Sequence, residues 1–218
     1  MTEMDVKQTV WVTRHGNRAD FVDPEWPRTA SRPYDPPLSA DGVVQAKELA
    51  GRLVGEGIRH IFASPFLRTV QTAAEVAETL DLPLCVEDGL GEMLNPEWFP
   101  VRPEVMSPAQ RAAAFPRVDV TYRSRVSPTY PETWDELMAR SERTARLLCG
   151  QYEGALLLVA HGGSAIGVCQ GLLGDPDRKV DWPLCGLTKL VREAAGWRMV
   201  FTGDTSHLSQ PDAGRRLA

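Results

Sequence analysis

Two histidines and two arginines near apolar runs are the first indication of chemistry in this chain. Arg14, His15 and Arg18 lie within TVWVTRHGNRADF, and His161 lies within GALLLVAHGG. Guanidinium groups present planar pairs of donors that suit bidentate binding of phosphate. A histidine among such charges is expected to have a lowered pKa and to stay neutral, as a nucleophile must. The two stretches therefore predict a phosphate site with a histidine nucleophile.

Arg68 and Glu92 are further candidates for the same site. Arg68 falls in the first turn of a helix predicted from SPFLRTVQTAAEVAETL, with Ser64 as its N-cap. A cation there opposes the helix dipole unless an anion lies beside it, so we expect Arg68 to bind phosphate. Glu92 is expected to be a general acid, because a carboxyl group in a partly desolvated pocket near an anion holds its proton more tightly. Glu87, Asp88 and Glu97 stay open as alternatives for this role.

The elements that must position these residues alternate between strand and helix. Short apolar or β-branched runs predict strands in TVWVT, RHIFAS, LPLCVEDG and GALLLVAH, and apolar residues at helical spacing follow three of them. GLTKLVREAAGWRMVF predicts a hairpin at the sheet edge. This order predicts an α/β fold, a three-layer α/β/α sandwich with a mostly parallel central sheet. Ligands of such sheets bind at the carboxyl ends of the strands, where the candidate residues lie.

Residues 94–131 interrupt this pattern and predict an irregular insertion within a single domain of residues 1–218. Prolines recur there, and aromatic residues are scattered among arginines. We expect the insertion to border the active site without forming a core element. If its aromatic residues and arginines line the mouth of the site, they would suit a bulky aryl or peptide phosphate; these arginines are Arg102, Arg111, Arg123 and Arg125.

Composition limits the class of protein. The chain has 218 residues, 43% hydrophobic and 24% charged, as expected of a globular domain. Its net charge of -5 argues against a nucleic-acid-binding protein, which would concentrate positive charge. Cys85, Cys149, Cys169 and Cys185 form no C-x-x-C pair and are expected to be buried free thiols. MTEMDVKQ lacks the features of an export signal and no apolar run is long enough to span a bilayer, so we expect a cytoplasmic protein.

Two other chemistries remain open from the residues alone. His15, His161 and Glu92 could be zinc ligands, although three arginines around a dication would be electrostatically unfavourable. HGGSAIG is close to a G-x-S-x-G nucleophile motif, which would make Ser164 the nucleophile of a serine hydrolase with His207 as its base. Ile166 stands at the second glycine position and weakens that alternative.

The order of RHG, SPFLRTVQTA and VAHGG along the chain resembles the histidine phosphatase superfamily, which includes the phosphoglycerate mutase-like proteins. RHGNRAD, LGEM and RVDVTYRSRV followed by YPETWDELMARS are similar to the phosphatase domain of the suppressor of T-cell receptor signalling proteins and to the steroid-phosphate phosphatase branch. The resemblance implies a phosphohistidine at His15, a proton donor at Glu92, and phosphate binding by Arg14, Arg18, Arg68 and His161.

The resemblance implies a phosphatase that hydrolyses small-molecule or peptide phosphomonoesters without a metal ion or other cofactor. Asn17 stands where that branch commonly has Glu, and we place it with Gly162 among the substrate-binding positions, since a glycine permits close backbone approach. The alternatives are a phosphoglycerate mutase, although the E-R-H-Y-G stretch of such mutases is missing, and an inactive phospho-ligand-binding module. The oligomeric state stays open.

Overall fold

The computed structural model of the chain describes residues 8–210. The first seven residues, on which most of the expectation about an export signal depends, lie outside the described residues, as do residues 211–218. Within residues 8–210, no helix is both long enough and apolar enough to cross a bilayer.

A six-stranded sheet forms the centre of the described structure. Its strands are β1 (Thr9–Arg14), β2 (Ile58–Ala63), β3 (Leu84–Val86), β4 (Ala155–Ala160), β5 (Leu187–Glu193) and β6 (Gly196–Asp204). The strand order is β3-β2-β4-β1-β5-β6. Strands β1 to β4 pair in parallel, whereas β5 runs antiparallel to β1 and forms a hairpin with β6. The mostly parallel sheet and the hairpin at its edge are therefore confirmed.

Helices cover both faces of this sheet. In the described residues they are α1 (Ala19–Val22), α2 (Trp26–Thr29), α3 (Ala40–Leu53), α4 (Leu67–Leu80), α5 (Pro108–Ala114), α6 (Trp134–Gln151) and α7 (Gly162–Leu173). Apolar residues of α3 and α4 form one buried cluster with one face of the sheet, and those of α6 and α7 form a second cluster with the other face. The three-layer α/β/α arrangement is confirmed.

The central strand β4 shows why the sheet is buried on both faces. Leu156 and Leu158 pack in the cluster with α6 and α7, and Leu157 and Val159 pack in the cluster with α3 and α4. All four side chains are fully buried. Each contributes about 1.5–3 kcal/mol of hydrophobic stabilisation, which explains why this strand is apolar without alternation.

The start of α4 differs from its sequence prediction. Ser39 caps α3 as expected, but the residue that caps α4 is Phe66 and not Ser64, so the helix begins at Leu67. The Leu67 N–H instead donates to Asp35 Oδ1 at 2.6 Å, a partner 32 residues away in the chain. Arg68 consequently remains in the first turn, and the Ser64 side chain is available to the site.

The insertion is more ordered than the sequence prediction allowed. It contains α5, which Ser107 begins through a capping box with Gln110, a signal present in SPAQ that the prediction missed. Beyond α5, Leu84 of β3 donates its N–H to the Arg117 carbonyl at 2.7 Å, and its own carbonyl accepts from the Asp119 N–H at 2.9 Å. The insertion therefore covers part of the β3 edge, which would otherwise expose unpaired backbone groups.

All four cysteines are free and buried, as expected. Burial raises the pKa of the Cys85, Cys149 and Cys169 thiols to about 12. These thiols are consequently protonated at neutral pH and have no nucleophilic role.

Candidate active site

The carboxyl ends of the three central strands bring the predicted histidines together. β4 lies between β2 and β1, and its last residues accept hydrogen bonds from both sides. The His15 N–H donates to the Ala160 carbonyl at 3.1 Å, and the Ser64 N–H donates to the Val159 carbonyl at 3.1 Å. His161 follows β4 directly and is the N-cap of α7. These bonds place His15, Ser64 and His161 side by side, at the sheet edge where ligands bind.

His15 is fully buried and its ring is held in one orientation. Nδ1 lies 2.7 Å from the Gly16 carbonyl oxygen, and because a carbonyl only accepts, we assign the ring proton to Nδ1. Nε2 then presents a lone pair, and it has no hydrogen-bond partner within the described residues. Burial lowers the pKa of His15 well below its usual value, and the charges of Arg68 and Arg14 lower it further. The ring is thus neutral and nucleophilic at neutral pH.

Arg68 is buried beside the histidines, and part of its guanidinium group has no acceptor. Nη2 lies 3.3 Å from Glu92 Oε2 and 3.2 Å from His161 Nδ1. Nε and Nη1 are buried and make no hydrogen bond within residues 8–210. Burial lowers the pKa of Arg68 to about 10, so the group remains a cation at neutral pH. Buried donors without acceptors cost free energy, and a phosphoryl group would supply the acceptors.

His161 lies next to both His15 and Glu92. Its Nε2 lies 2.7 Å from Ser64 Oγ, so the side chain predicted to cap α4 contacts His161 instead. The ring centroid of His161 lies 5.3 Å from that of His15. Its Nδ1 lies 3.2 Å from Glu92 Oε2. Burial lowers the pKa of His161 to about 4, although Glu92 acts in the opposite direction. His161 is therefore neutral at neutral pH and lies within reach of an oxygen bound next to His15.

Glu92 reaches the site, but its affinity for a proton differs from the sequence expectation. Burial by itself raises the pKa of Glu92, yet the effects of His161, Arg68 and Arg14 outweigh it and hold the pKa well below its usual range. Glu92 is therefore ionised at neutral pH, and the Arg68 cation is one of the contacts that keep it so. The expectation that Glu92 retains its proton is wrong while Arg68 has no other anion to bind.

The alternative carboxylates have other positions. Glu87 is fully buried and ties the end of the insertion to the sheet, and its two oxygens accept from Gly89 N, Tyr122 Oη, Ser124 Oγ, Arg125 N and Val126 N. Glu97 is exposed, and Asp88 lines a different cavity. Glu92 is thus the candidate that contacts Arg68 and His161.

Three tryptophans line the cleft above the charged groups. The cleft has a volume of about 80 Å³, and Arg14 and Glu92 lie in its wall together with Trp98, Trp134 and Trp182. The Arg14 guanidinium carbon lies 4.7 Å from the ring centroid of Trp182, a cation–π contact. Sequence reasoning anticipated aromatic residues from the insertion, but only Trp98 comes from it. Trp134 begins α6 and Trp182 follows α7, so neither was recognised from its local pattern.

The two glycines next to the histidines make close contacts within the protein. A Cβ atom at Gly162 would lie 2.9 Å from the indole ring of Trp182, and one at Gly16 would lie 2.7 Å from the Gly42 carbonyl oxygen. Gly162 is therefore required for close approach, as expected, but the group that approaches it is the Trp182 ring. Gly162 also lies in the wall of the cleft, so its contact with substrate stays a prediction.

Arg18 lies near Arg68, whereas the Asn17 side chain contacts α3. Arg18 donates from Nε to Asp20 Oδ1 at 2.9 Å, and its charge helps to lower the pKa of Arg68, so it lies near the Arg68 guanidinium group. Asn17 donates from Nδ2 to Asp41 Oδ2 at 2.7 Å and accepts from the Arg18 N–H. Its amide thus holds β1 against α3, and these contacts favour a structural role over the expected substrate contact.

The insertion arginines do not line the tryptophan cleft, contrary to the sequence expectation. Arg111 is buried beside the separate cavity that Asp88 lines. Arg123 donates to the backbone carbonyls of Val120 and Tyr122, and Arg125 lies over the Tyr122 ring. The exposed Arg102 does not line the cleft either. Folding of the insertion onto the β3 edge directs these side chains elsewhere.

The two alternative chemistries find no support in the geometry. Ser164 Oγ accepts from the His161 N–H and donates to the Leu90 carbonyl at 3.1 Å, while His207 Nε2 lies 3.1 Å from the Cys185 carbonyl oxygen. Ser164 is therefore a capping residue without His207 as its base. Among residues 8–210, no group of three or more His, Cys, Asp or Glu side chains is arranged to hold a metal ion.

Comparison with known proteins agrees with this constellation. Residues 10–205 match the family model of the histidine phosphatase superfamily, branch 1. Ubiquitin-associated and SH3 domain-containing protein A of Homo sapiens is 30% identical over 89% of the chain, and the chain covers 35% of that relative's length. The probable phosphoglycerate mutase GpmB of Yersinia enterocolitica is 28% identical over 93% of the chain and 95% of its own length.

Among solved structures, the crystal structure of the ecdysone phosphate phosphatase of Bombix mori in complex with tungstate superposes with a TM-score of 0.74. It is 23% identical in sequence, and the match covers 90% of this chain and 93% of that chain. This similarity confirms the phosphoglycerate mutase-like fold that the sequence predicted.

Proposed function

Since the chain belongs to the histidine phosphatase superfamily, we propose that it hydrolyses phosphomonoesters and that His15 is the nucleophile. The observation that carries the proposal is the state of His15. Its ring is neutral, its Nδ1 is bound to the Gly16 carbonyl, and its Nε2 has no partner within the described residues. The charge of Arg68, whose Nε and Nη1 also have no acceptor there, acts on the ring. An electrophilic phosphorus held by those donors would face the lone pair.

In the first step, the His15 Nε2 lone pair forms the N–P bond while the ester P–O bond breaks in line with it. Arg14, Arg68 and His161 stabilise the equatorial oxygens of the phosphoryl group, where negative charge is concentrated. Arg18 is positioned to add to this set. The positive charge comes from guanidinium groups, so the proposed chemistry uses no metal ion.

Glu92 supplies the proton to the departing alkoxide or phenoxide. Glu92 is ionised when Arg68 has no other anion to bind. A bound phosphoryl group would pair with Arg68 and would also bring negative charge close to Glu92, and both effects raise the pKa of Glu92. Glu92 therefore gains its proton as the substrate binds. In the second step water attacks phosphorus, the N–P bond breaks, and Glu92 accepts the proton of the water.

The substrates are proposed to carry a bulky, planar or aromatic group next to the phosphate. The side chains of Trp98, Trp134 and Trp182 line the cleft together with Arg14 and Glu92. Aromatic walls favour apolar and aromatic ligands through burial and ring contacts. One solved neighbour of the same fold is named an ecdysone phosphate phosphatase, and the proposed preference is compatible with that name.

Trapping of the phosphoenzyme tests the proposal. The purified protein is mixed with phosphate-labelled naphthyl phosphate and quenched in alkali, in which phosphohistidine survives. We expect label on the wild-type chain and on a His60→Gln control, whose substituted histidine lies outside the cleft, and no label or turnover with His15→Ala. Full turnover by His15→Ala would overturn the assignment.

Phosphoglycerate mutase activity is the second candidate, because GpmB matches the chain over nearly its whole length. A mutase would return the phosphoryl group from His15 to a second hydroxyl rather than to water. Interconversion of 2- and 3-phosphoglycerate, measured beside release of inorganic phosphate from naphthyl phosphate, separates the two. We expect phosphate release to dominate.

A further inference from the structure

A second cavity lies outside the tryptophan cleft, at the end of β3. It is an open cavity between α5 and residues 118–124 with a volume of about 490 Å³, within the range of small-molecule sites. Its wall includes apolar groups from Val86, Val118 and Tyr122 and the charged side chains of Asp88 and Arg111. The cavity shares no lining residue with the cleft that holds Arg14 and Glu92.

Arg111 is the unusual residue of this cavity. Only 9% of it is exposed to solvent, yet its guanidinium group makes no hydrogen bond or ion pair with any described residue. Asp88 and Asp35 act on it only over longer distances, and burial lowers its pKa. A position in the last turn of α5 favours a cation through the helix dipole, but it supplies no planar pair of acceptors for the guanidinium group of this cavity-lining residue.

The other polar groups in the cavity wall either make hydrogen bonds within the protein or carry negative charge. Asp119 accepts from Thr121 N and Thr121 Oγ1, and Arg123 donates to backbone carbonyls. Asp88 and Asp119 would repel a doubly charged phosphate more strongly than a singly charged carboxylate. The cavity therefore suits a ligand that has one planar anionic group, with two acceptors for Arg111, attached to an apolar body.

We propose that this cavity is a binding site for amphipathic organic carboxylates, in which the carboxylate pairs with the Arg111 guanidinium and the apolar body packs against Val118 and Tyr122. The site is separate from the phosphate-binding cleft. Its wall adjoins the chain that leads to Glu92, because Asp88 begins the single 3₁₀ turn 88–90 and its N–H donates to Ser124 Oγ at 2.9 Å.

Binding of 2-naphthoate, followed by isothermal titration calorimetry with vanadate present to occupy the phosphate cleft, tests the proposal. We expect saturable binding to the wild-type protein and at least tenfold weaker binding of the uncharged 2-naphthamide, since hydrogen bonds to a charged group are the stronger kind. Arg111→Met should weaken 2-naphthoate binding at least tenfold, whereas Arg102→Met, which removes an exposed arginine of the same insertion, should leave it unchanged.

A second variant tests the proposal independently, in case Arg111→Met does not fold. Ala112→Trp keeps the arginine and fills the cavity, so it should also abolish binding, and thermal melting reports whether each variant is folded. Equal binding by wild-type and a folded Arg111→Met protein would overturn the proposal, as would 2-naphthoate binding that occurs without vanadate and is lost in its presence. The readout is binding rather than turnover, so the result stands apart from the fate of the proposed phosphatase activity.

Discussion

Replacement of Glu92 by Gln separates its role as proton donor from its role as a partner of Arg68. The substitution keeps the shape of the side chain and removes both the charge and the transferable proton. For an alkyl phosphate, whose alkoxide leaving group needs a proton, we expect kcat to fall roughly 10²–10⁴-fold, the usual worth of general acid catalysis. That loss corresponds to about 3–5 kcal/mol of transition-state stabilisation. For nitrophenyl phosphate, whose leaving group is stable as an anion, we expect a fall of less than about tenfold, because little protonation is required.

The same variant should bind inorganic phosphate more tightly. Glu92 Oε2 lies 3.3 Å from Arg68 Nη2, so an anion on the other donors of Arg68 would lie roughly 5–6 Å from the carboxylate, where like charges repel by about 3 kcal/mol at an effective dielectric constant near 20. Part of this repulsion is relieved in the wild-type protein when Glu92 takes up a proton. We therefore expect at least about fivefold tighter inhibition by phosphate at pH 8, with a smaller difference at pH 6, where the proton is easier to acquire.

Steady-state kinetics with the two esters, and phosphate inhibition at both pH values, measure these effects. Glu97→Gln, which neutralises an exposed carboxylate of the same segment, serves as the control and should match the wild-type protein. Equal losses of kcat for the alkyl and nitrophenyl esters, or weaker binding of phosphate by Glu92→Gln, would refute the reasoning.

Three further predictions concern the surroundings of the site. Trp182→Leu removes the cation–π contact with Arg14 and one wall of the cleft, so KM should rise about tenfold for naphthyl phosphate and much less for methyl phosphate; equal increases would show that Trp182 has no part in selecting bulky esters. The folded pKa of His161, about 4, lies below its usual 6.5, so the unfolded chain binds more protons and stability is lost as the pH falls from 6.5 towards 4. Chemical denaturation should show a smaller loss in His161→Gln than in wild-type, by up to about 1.4 kcal/mol per pH unit, and parallel curves would contradict the shift. Glu87→Ala leaves several donors unpaired and should lower the free energy of unfolding by about 2–4 kcal/mol, measured by urea denaturation against Glu97→Ala, which should change it little.

Interactions between neighbours in the chain explain which elements could be predicted. The apolar runs of β1 and β4 and the helical spacing in α3 and α4 depend on residues a few positions apart, and burial on both faces follows from the lack of alternation. The insertion was predicted less well because its packing against β3 depends on contacts such as Leu84 with Arg117. The capping box of α5 was nevertheless readable in SPAQ.

Part of the active site was predictable for the same reason. A parallel sheet brings the ends of its central strands to one edge, so Arg14, His15 and His161 were expected to meet once their strands were recognised. Arg68 was predicted from its position in the first turn of the helix after β2, and Glu92 from its position shortly after β3. The sequence alone therefore determined the α/β class and the sheet edge at which Arg14, His15 and His161 meet.

Only the tertiary structure decided the properties that depend on distant neighbours. Ser64 reaches His161 across 97 residues, and Trp182 reaches Arg14 from a loop beyond α7. The pKa of Glu92 is lowered rather than raised because His161 and Arg68 lie in contact with it. A pKa or a cleft wall is set by charges, burial and ring contacts summed in space, and these sums are fixed only when segments far apart in the chain have packed together.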